Sequence, residues 1–102
     1  MAREQFQTLT EPMYYILMAL LEECCGVDIM DRVRFLSKDR VKVGPGTLYA
    51  MLAKFEKSGI IRLTAEEGRR KSYIITKEGR SMLKKEYDRL KMMVEDGRGF
   101  LN

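Results

Sequence analysis

The sequence predicts a mainly α fold with a small β-hairpin, and three observations carry that expectation. Apolar residues recur at helical spacing in four segments, the period switches to alternation between residues 60 and 76, and glycine or proline marks most of the changes. The 102 residues, 45% of them apolar, suffice for one small core and are too few for two. The chain has neither an internal repeat nor a low-complexity tract. No run approaches the roughly 18 apolar residues of a membrane span, and the N-terminus lacks the succession of a signal peptide. A cytoplasmic protein without a membrane partner is expected.

Residues 12–24, PMYYILMALLEEC, read as the first helix. Glu11 and Pro12 suit its start, Ile16, Leu17, Leu20 and Leu21 form a broad apolar stripe, and Gly26 is suited to terminating it. Cys24 and Cys25 then read as small apolar residues at the helix end. Adjacent cysteines match neither a metal-ligand spacing nor a redox CxxC motif, and the nearby acids Glu22, Glu23 and Asp28 disfavour a thiolate. A redox-sensing role stands as the alternative. Residues 27–37, VDIMDRVRFLS, set Ile29, Met30, Val33 and Leu36 at helical spacing and predict a second helix.

The third helix lies within KVGPGTLYAMLAKFEKSGII, residues 42–61, with Pro45 in its first turn and Gly59 closing it. Leu48, Leu52 and Phe55 fall at i, i+4 and i+7 and belong in a core. The opposite side carries Gly46, Ala50, Ala53, Lys54 and Lys57, with Thr47 nearby and Glu56 on the flank. That outer face is small and basic, and it suits a close-fitting negative partner.

After Gly59, IIRLT and KSYIIT alternate and are rich in β-branched and aromatic residues; AEEGRR between them holds the glycine of a hairpin turn. A last helix begins at Thr76 or Lys77. Its stripe is Leu83, Tyr87, Leu90 and Val94, and Gly97 and Gly99 are expected to end it. The implied division is residues 1–76 as one unit and residues 77–102 as a terminal helix and tail.

Net charge is +4, unevenly spread. Residues 1–36 hold three basic and six acidic side chains; residues 37–80 hold eleven and five; residues 81–102 hold five and four. A basic middle is the footprint of a domain that meets a polyanion, because neutralising phosphates releases condensed counterions. A solvated basic face is the equal alternative.

Three helices followed by a hairpin match the winged variant of the helix-turn-helix, whose second unit helix enters a DNA major groove. From about residue 9 to residue 80 the segments LTEPMYYILMALLEE, GVDIMDRV, VGPGTLYAMLAKFEKSGII and RRKSYIITKEGR resemble the PadR family of transcriptional regulators. The most specific parts are the Gly-Thr-Leu-Tyr opening of the third helix and the Arg-Lys-x-Tyr-x-x-Thr wing. The resemblance implies a winged helix-turn-helix that binds double-stranded DNA, a C-terminal dimerisation helix, and repression relieved by a small hydrophobic effector.

It also puts Thr47, Tyr49 and Lys54 in or beside the recognition surface, and Arg69, Arg70, Lys71 and Tyr73 in the wing. Each has a plainer reading. Thr47 could satisfy backbone donors of the first helical turn, although groove reading uses N-terminal residues of a helix. The Tyr49 ring packs whether or not its hydroxyl meets a phosphate. Lys54 and Lys57 are either solvated or bound to phosphate, and Ala50 is the small residue of the approaching face. Arg69, Arg70 and Lys71 could reach the minor groove or backbone, or simply keep a hairpin tip soluble. Where the family commonly has Gly-Tyr-Glu or Gly-Tyr-Asp, this chain has Gly26-Val27-Asp28, so a phosphate contact is absent there or is carried by Tyr14 or Tyr15.

The terminal stripe of Leu83, Tyr87, Leu90 and Val94, with Phe6 and Leu9 beside it, exceeds what a small winged helix covers and calls for a second copy. Two-fold symmetry would make the operator an inverted repeat. Eight methionines could line an effector pocket or fill the core, and ligand residues stay unassigned. No cofactor or metal is expected. A winged-helix module that binds only protein is the alternative function. An enzyme fits poorly, for there is no histidine, phosphate loop, ligand cluster or activated nucleophile.

Overall fold

The computed structural model describes residues 8–102; Phe6, expected at a dimer interface, lies outside the described residues. The elements run α1 (Glu11–Ala19), β1 (Cys24–Cys25), α2 (Gly26–Leu36), α3 (Pro45–Lys57), β2 (Ile61–Glu67), β3 (Arg70–Ile75) and α4 (Lys77–Leu101). Ile16, Leu17 and Leu20 meet Ile29 and Val33 of α2, Leu48, Leu52 and Phe55 of α3, and Ile60 and Ile61, in one continuous core.

The first helix is shorter than its apolar pattern predicts. Thr10 caps it by accepting from the Met13 amide, yet it ends at Ala19 instead of Cys24. The carbonyls at its end are taken by distant donors: Arg32 Nη1 donates to Ala19 O at 2.9 Å, the Ile75 amide to Leu20 O at 2.8 Å, and Arg80 Nη2 to Leu21 O at 3.2 Å. These partners satisfy the orphan carbonyls that would otherwise continue the helix. Gly26 accordingly opens α2 and does not terminate α1.

The released segment becomes a strand. Cys24 pairs with Tyr73 and Cys25 with Ser72, so the expected two-stranded hairpin is a three-stranded antiparallel sheet in the order β1-β3-β2. The cysteines therefore do not end a helix. Both are thiols, Cys24 buried and pushed up in pKa by that burial. In the hairpin only Gly68 and Arg69 separate the strands, a tighter turn than AEEGRR suggested, with Gly68 at φ +61°. A register shift between Leu63 and Ala65 bends β2.

Thr76 starts α4: its hydroxyl accepts from the Gly79 amide at 3.0 Å. Close packing follows, since a Cβ on Gly79 would stand 2.3 Å from the Ile60 carbonyl oxygen. The helix does not stop at Gly97 or Gly99 but runs 25 residues to Leu101. Each glycine costs a helix only about 1 kcal/mol relative to alanine, and no left-handed turn is imposed at either. At 1.5 Å per residue α4 is about 37 Å long, and its C-terminal half is exposed.

Candidate nucleic-acid interface

The two-sided character of α3 is realised. Leu48, Leu52 and Phe55 are buried, while Gly46, Thr47, Ala50, Ala53, Lys54 and Lys57 are exposed on the other side. The helix begins on Gly44 without a side-chain cap, so the Thr47 hydroxyl is not spent on the backbone of the first turn. Tyr49 is 45% exposed, its ring lying over Gly26 at the start of α2.

Beside α3, the wing forms the far wall of a cleft of about 500 Å³. Cys25, Gly26 and Val27 line it from one side, Tyr49, Ala53 and Glu56 from α3, and Arg69, Arg70, Lys71 and Tyr73 from the wing. Arg69 occupies the turn itself, whereas Arg70 and Lys71 begin β3 and are exposed. Tyr73 differs from its neighbours: only 6% exposed, its ring belongs to the core. Burial, followed by the carboxylate of Glu56, pushes its phenol pKa up.

Acid is nearer this surface than its linear spacing suggested. Antiparallel pairing sets Glu67 across from Arg70 and Glu66 across from Lys71. Such cross-strand pairs contribute roughly 0.2–1 kcal/mol and leave exposed cations able to exchange partners. None of the ion pairs among the described residues uses Lys54, Lys57, Arg69, Arg70 or Lys71. Arg40 behaves otherwise, held by Glu11 Oε2 at 2.6 Å and the Tyr15 hydroxyl at 2.9 Å. Tyr15 is thus engaged on Arg40, and Tyr14 is half-buried beside it with its pKa raised by burial.

Along α4, Leu83 is buried in the core, while Tyr87, Leu90 and Val94 are exposed. The exposed apolar surface continues through Met93, Phe100 and Leu101. Leu9 is half-buried against the core, and its amide donates to Glu86 Oε2 at 2.9 Å. Glu86, 3% exposed and clasped by Arg89 at 2.8 Å, was not singled out by the sequence reading; its only local signal is a Glu-Arg pair at i, i+3. A groove of about 430 Å³ between α1 and α4 is lined by Tyr14, Met18, Leu21, Leu83 and Tyr87, with Arg80 and Lys84 at its edge. Among the described residues no His, Cys, Asp or Glu cluster could hold a metal, and no helix is long and apolar enough to cross a membrane.

Three core helices, a basic hairpin wing and an outward-facing third helix define a winged helix-turn-helix protein. The chain belongs to the PadR-like family of transcriptional regulators, whose family profile matches residues 16–85. Members of this family are regulators and not enzymes. A transcriptional regulator from Clostridium thermocellum is 25% identical with a TM-score of 0.72, covering 90% of this chain and 95% of that one. A PadR family transcription regulator from Clostridium difficile is also 25% identical, with a TM-score of 0.70 over 87% of this chain and 98% of the other. An uncharacterised 37.1 kDa protein from a transposon of Streptomyces fradiae is 38% identical over 45 residues, or 44% of this chain. The chain matches only 13% of that relative's length.

Proposed function

We propose that the chain is a homodimeric repressor that binds an inverted-repeat operator through α3 and the wing. The observation that carries this reading is an exposed, small and basic α3 face next to a wing whose Arg69, Arg70 and Lys71 share a cleft with Tyr49 and Ala53 of the same helix. In it Thr47 and Ala50 approach base edges, while Lys54, Lys57 and the wing cations neutralise phosphates. Residues 77–102 form the dimerisation segment, with Tyr87, Leu90 and Val94 against their two-fold mates and Leu9 and Leu83 supporting the base of the helix. A small hydrophobic effector entering the groove between α1 and α4 would act on that same segment and release the operator.

The test is fluorescence anisotropy against a labelled fragment from upstream of the gene and a shuffled control, at several salt concentrations. Tight binding selective for the fragment is expected, with log affinity falling linearly against log salt. Absence of binding to either duplex at low salt would favour a protein-interaction module instead.

A further inference from the structure

The apolar residues along α4 are ordered by size as well as by period. Leu83, Tyr87, Leu90, Val94, Gly97 and Leu101 follow one another in steps of four, three, four, three and four residues. At about 100° per residue that run holds a stripe about 80° wide, the seam of a helix that pairs with another helix. Leu83 is buried in the core, but Tyr87, Leu90, Val94 and Leu101 are between 36% and 86% exposed. Gly97 is the odd member of the seam. Among the described residues a Cβ placed on it would meet only the end of the Leu101 side chain, at 3.4 Å, so packing inside the protomer does not require glycine there.

The seam is complementary to its own reversal. Counted outward from residue 92, Leu90 faces Val94, Tyr87 faces Gly97 and Leu83 faces Leu101 when a second α4 runs antiparallel to the first. The bulkiest residue then falls opposite the one without a side chain, and aliphatic residues fill the levels on either side. A parallel pair would instead set Tyr87 on Tyr87 and Gly97 on Gly97, crowding one level and leaving a void at the other. Charge decides which edge of the seam closes. Lys84, Lys91 and Arg98 lie along one edge, with Lys84 and Arg98 held by Asp88 and Glu95, while the exposed Met93 and Phe100 lie along the other. Lys91 would face its own mate, so the helices lean toward the Met93 and Phe100 edge.

The same register carries the helix tip to a second place. Nine residues separate position 92 from Leu83 and from Leu101, about 13 Å at 1.5 Å per residue. Leu83 and Tyr87 line the groove between α1 and α4, where the tip of the other helix arrives. We propose that two copies pair their α4 helices antiparallel about residue 92, each Tyr87 seated over Gly97 of the other copy, and that Leu101 of one copy closes the α1–α4 groove of its partner. That groove is complete only in the pair. The inference rests on the homodimer reading above and sets its register, in which the seam residues meet one another and not their own copies.

Sedimentation equilibrium of the full chain measures the dimer dissociation constant. Gly97→Leu is expected to weaken the dimer about a hundredfold, roughly tenfold at each of its two symmetric contacts. Gly99→Leu, on the opposite side of the helix, should leave the constant within about twofold of wild type. Tyr87→Ala should also weaken the dimer, but Tyr87→Ala combined with Gly97→Leu moves the bulk across the seam and should bind about tenfold more tightly than Gly97→Leu alone. Circular dichroism checks that each variant keeps its helices. Equal constants for Gly97→Leu and Gly99→Leu would overturn the register and leave the homodimer standing, as would a double variant as weak as the two single losses multiplied. The chain has no tryptophan, so Leu101→Trp adds a single reporter at the tip. Its emission should shift to shorter wavelength and resist acrylamide in the dimer, and return to that of exposed indole on dilution to monomer. An indole that stays exposed in the dimer would overturn the closing of the groove. A wild-type chain that is monomeric at every concentration would remove the homodimer reading and the register together.

Discussion

Replacing Gly79 by alanine sets local helix preference against tertiary packing, and the two predict opposite signs. Helix propensity favours alanine by up to about 1 kcal/mol. The new Cβ, however, would stand 2.3 Å from Ile60 O, 2.8 Å from Ile75 Cγ1 and 2.9 Å from Ile60 Cγ2. The carbonyl is the hard obstacle, because it already accepts from the Thr76 amide at 2.8 Å and the Thr76 hydroxyl at 2.9 Å. Relief requires moving the first turn of α4 away from Ile60, which disturbs the Thr76 cap. Overpacking costs about 1–3 kcal/mol and loss of a cap about 1 kcal/mol. After the propensity gain, a net destabilisation of about 2 kcal/mol remains, equivalent to about 8–16 °C in Tm for a domain of this size. Thermal melting followed by circular dichroism measures it. A Tm equal to or above wild type would refute the close approach of α4 to Ile60.

Three further outcomes are expected. The Arg89 hydrogen bond, aided by the Leu9 amide and opposed by burial, holds the Glu86 carboxyl below the usual carboxylate range. A depressed folded-state pKa contributes stability that is full above the unfolded value of about 4.3 and is lost as pH falls through the folded value. Tm should therefore fall more steeply below about pH 4.3 in wild type than in Glu86→Gln, and parallel profiles would remove the Glu86 clasp from the stability balance. Alanine at both Arg70 and Lys71 should weaken binding to every duplex and reduce the salt slope by about one for each phosphate left unneutralised, whereas an unchanged slope would take the wing out of the interface. Leu90→Asp should sediment as a monomer, since dimerisation would bury an unpaired charge, and a persistent dimer would locate the interface elsewhere.

What could be seen in the sequence was whatever repeats locally. Leu48, Leu52 and Phe55 mark the buried side of α3 by spacing alone, and the alternation in residues 60–76 marks the wing, because side-chain direction follows from backbone period. The exposed cations of the candidate interface were legible for the same reason. The acids facing them were not: Glu66 and Glu67 meet Lys71 and Arg70 only through strand register. Nor was the inward position of Tyr73 distinguishable from that of any wing tyrosine until β1 covered the adjoining edge of β3.

By itself the sequence determined four helical segments, a two-sided third helix, a basic hairpin and an apolar terminal stripe, all consequences of hydrophobic period and local turn chemistry. The tertiary structure decided where α1 stops, because the groups that take its last carbonyls lie 13 to 59 residues away in the chain. It turned Cys24 and Cys25 into an edge strand through pairing with β3. The run of α4 through Gly97 and Gly99, by contrast, is a local outcome, since neither glycine adopts the left-handed backbone that would end a helix. The tertiary structure also assembled the cleft in which Gly26, Tyr49 and Tyr73 meet, because backbone hydrogen bonding and close packing join residues that no periodicity connects.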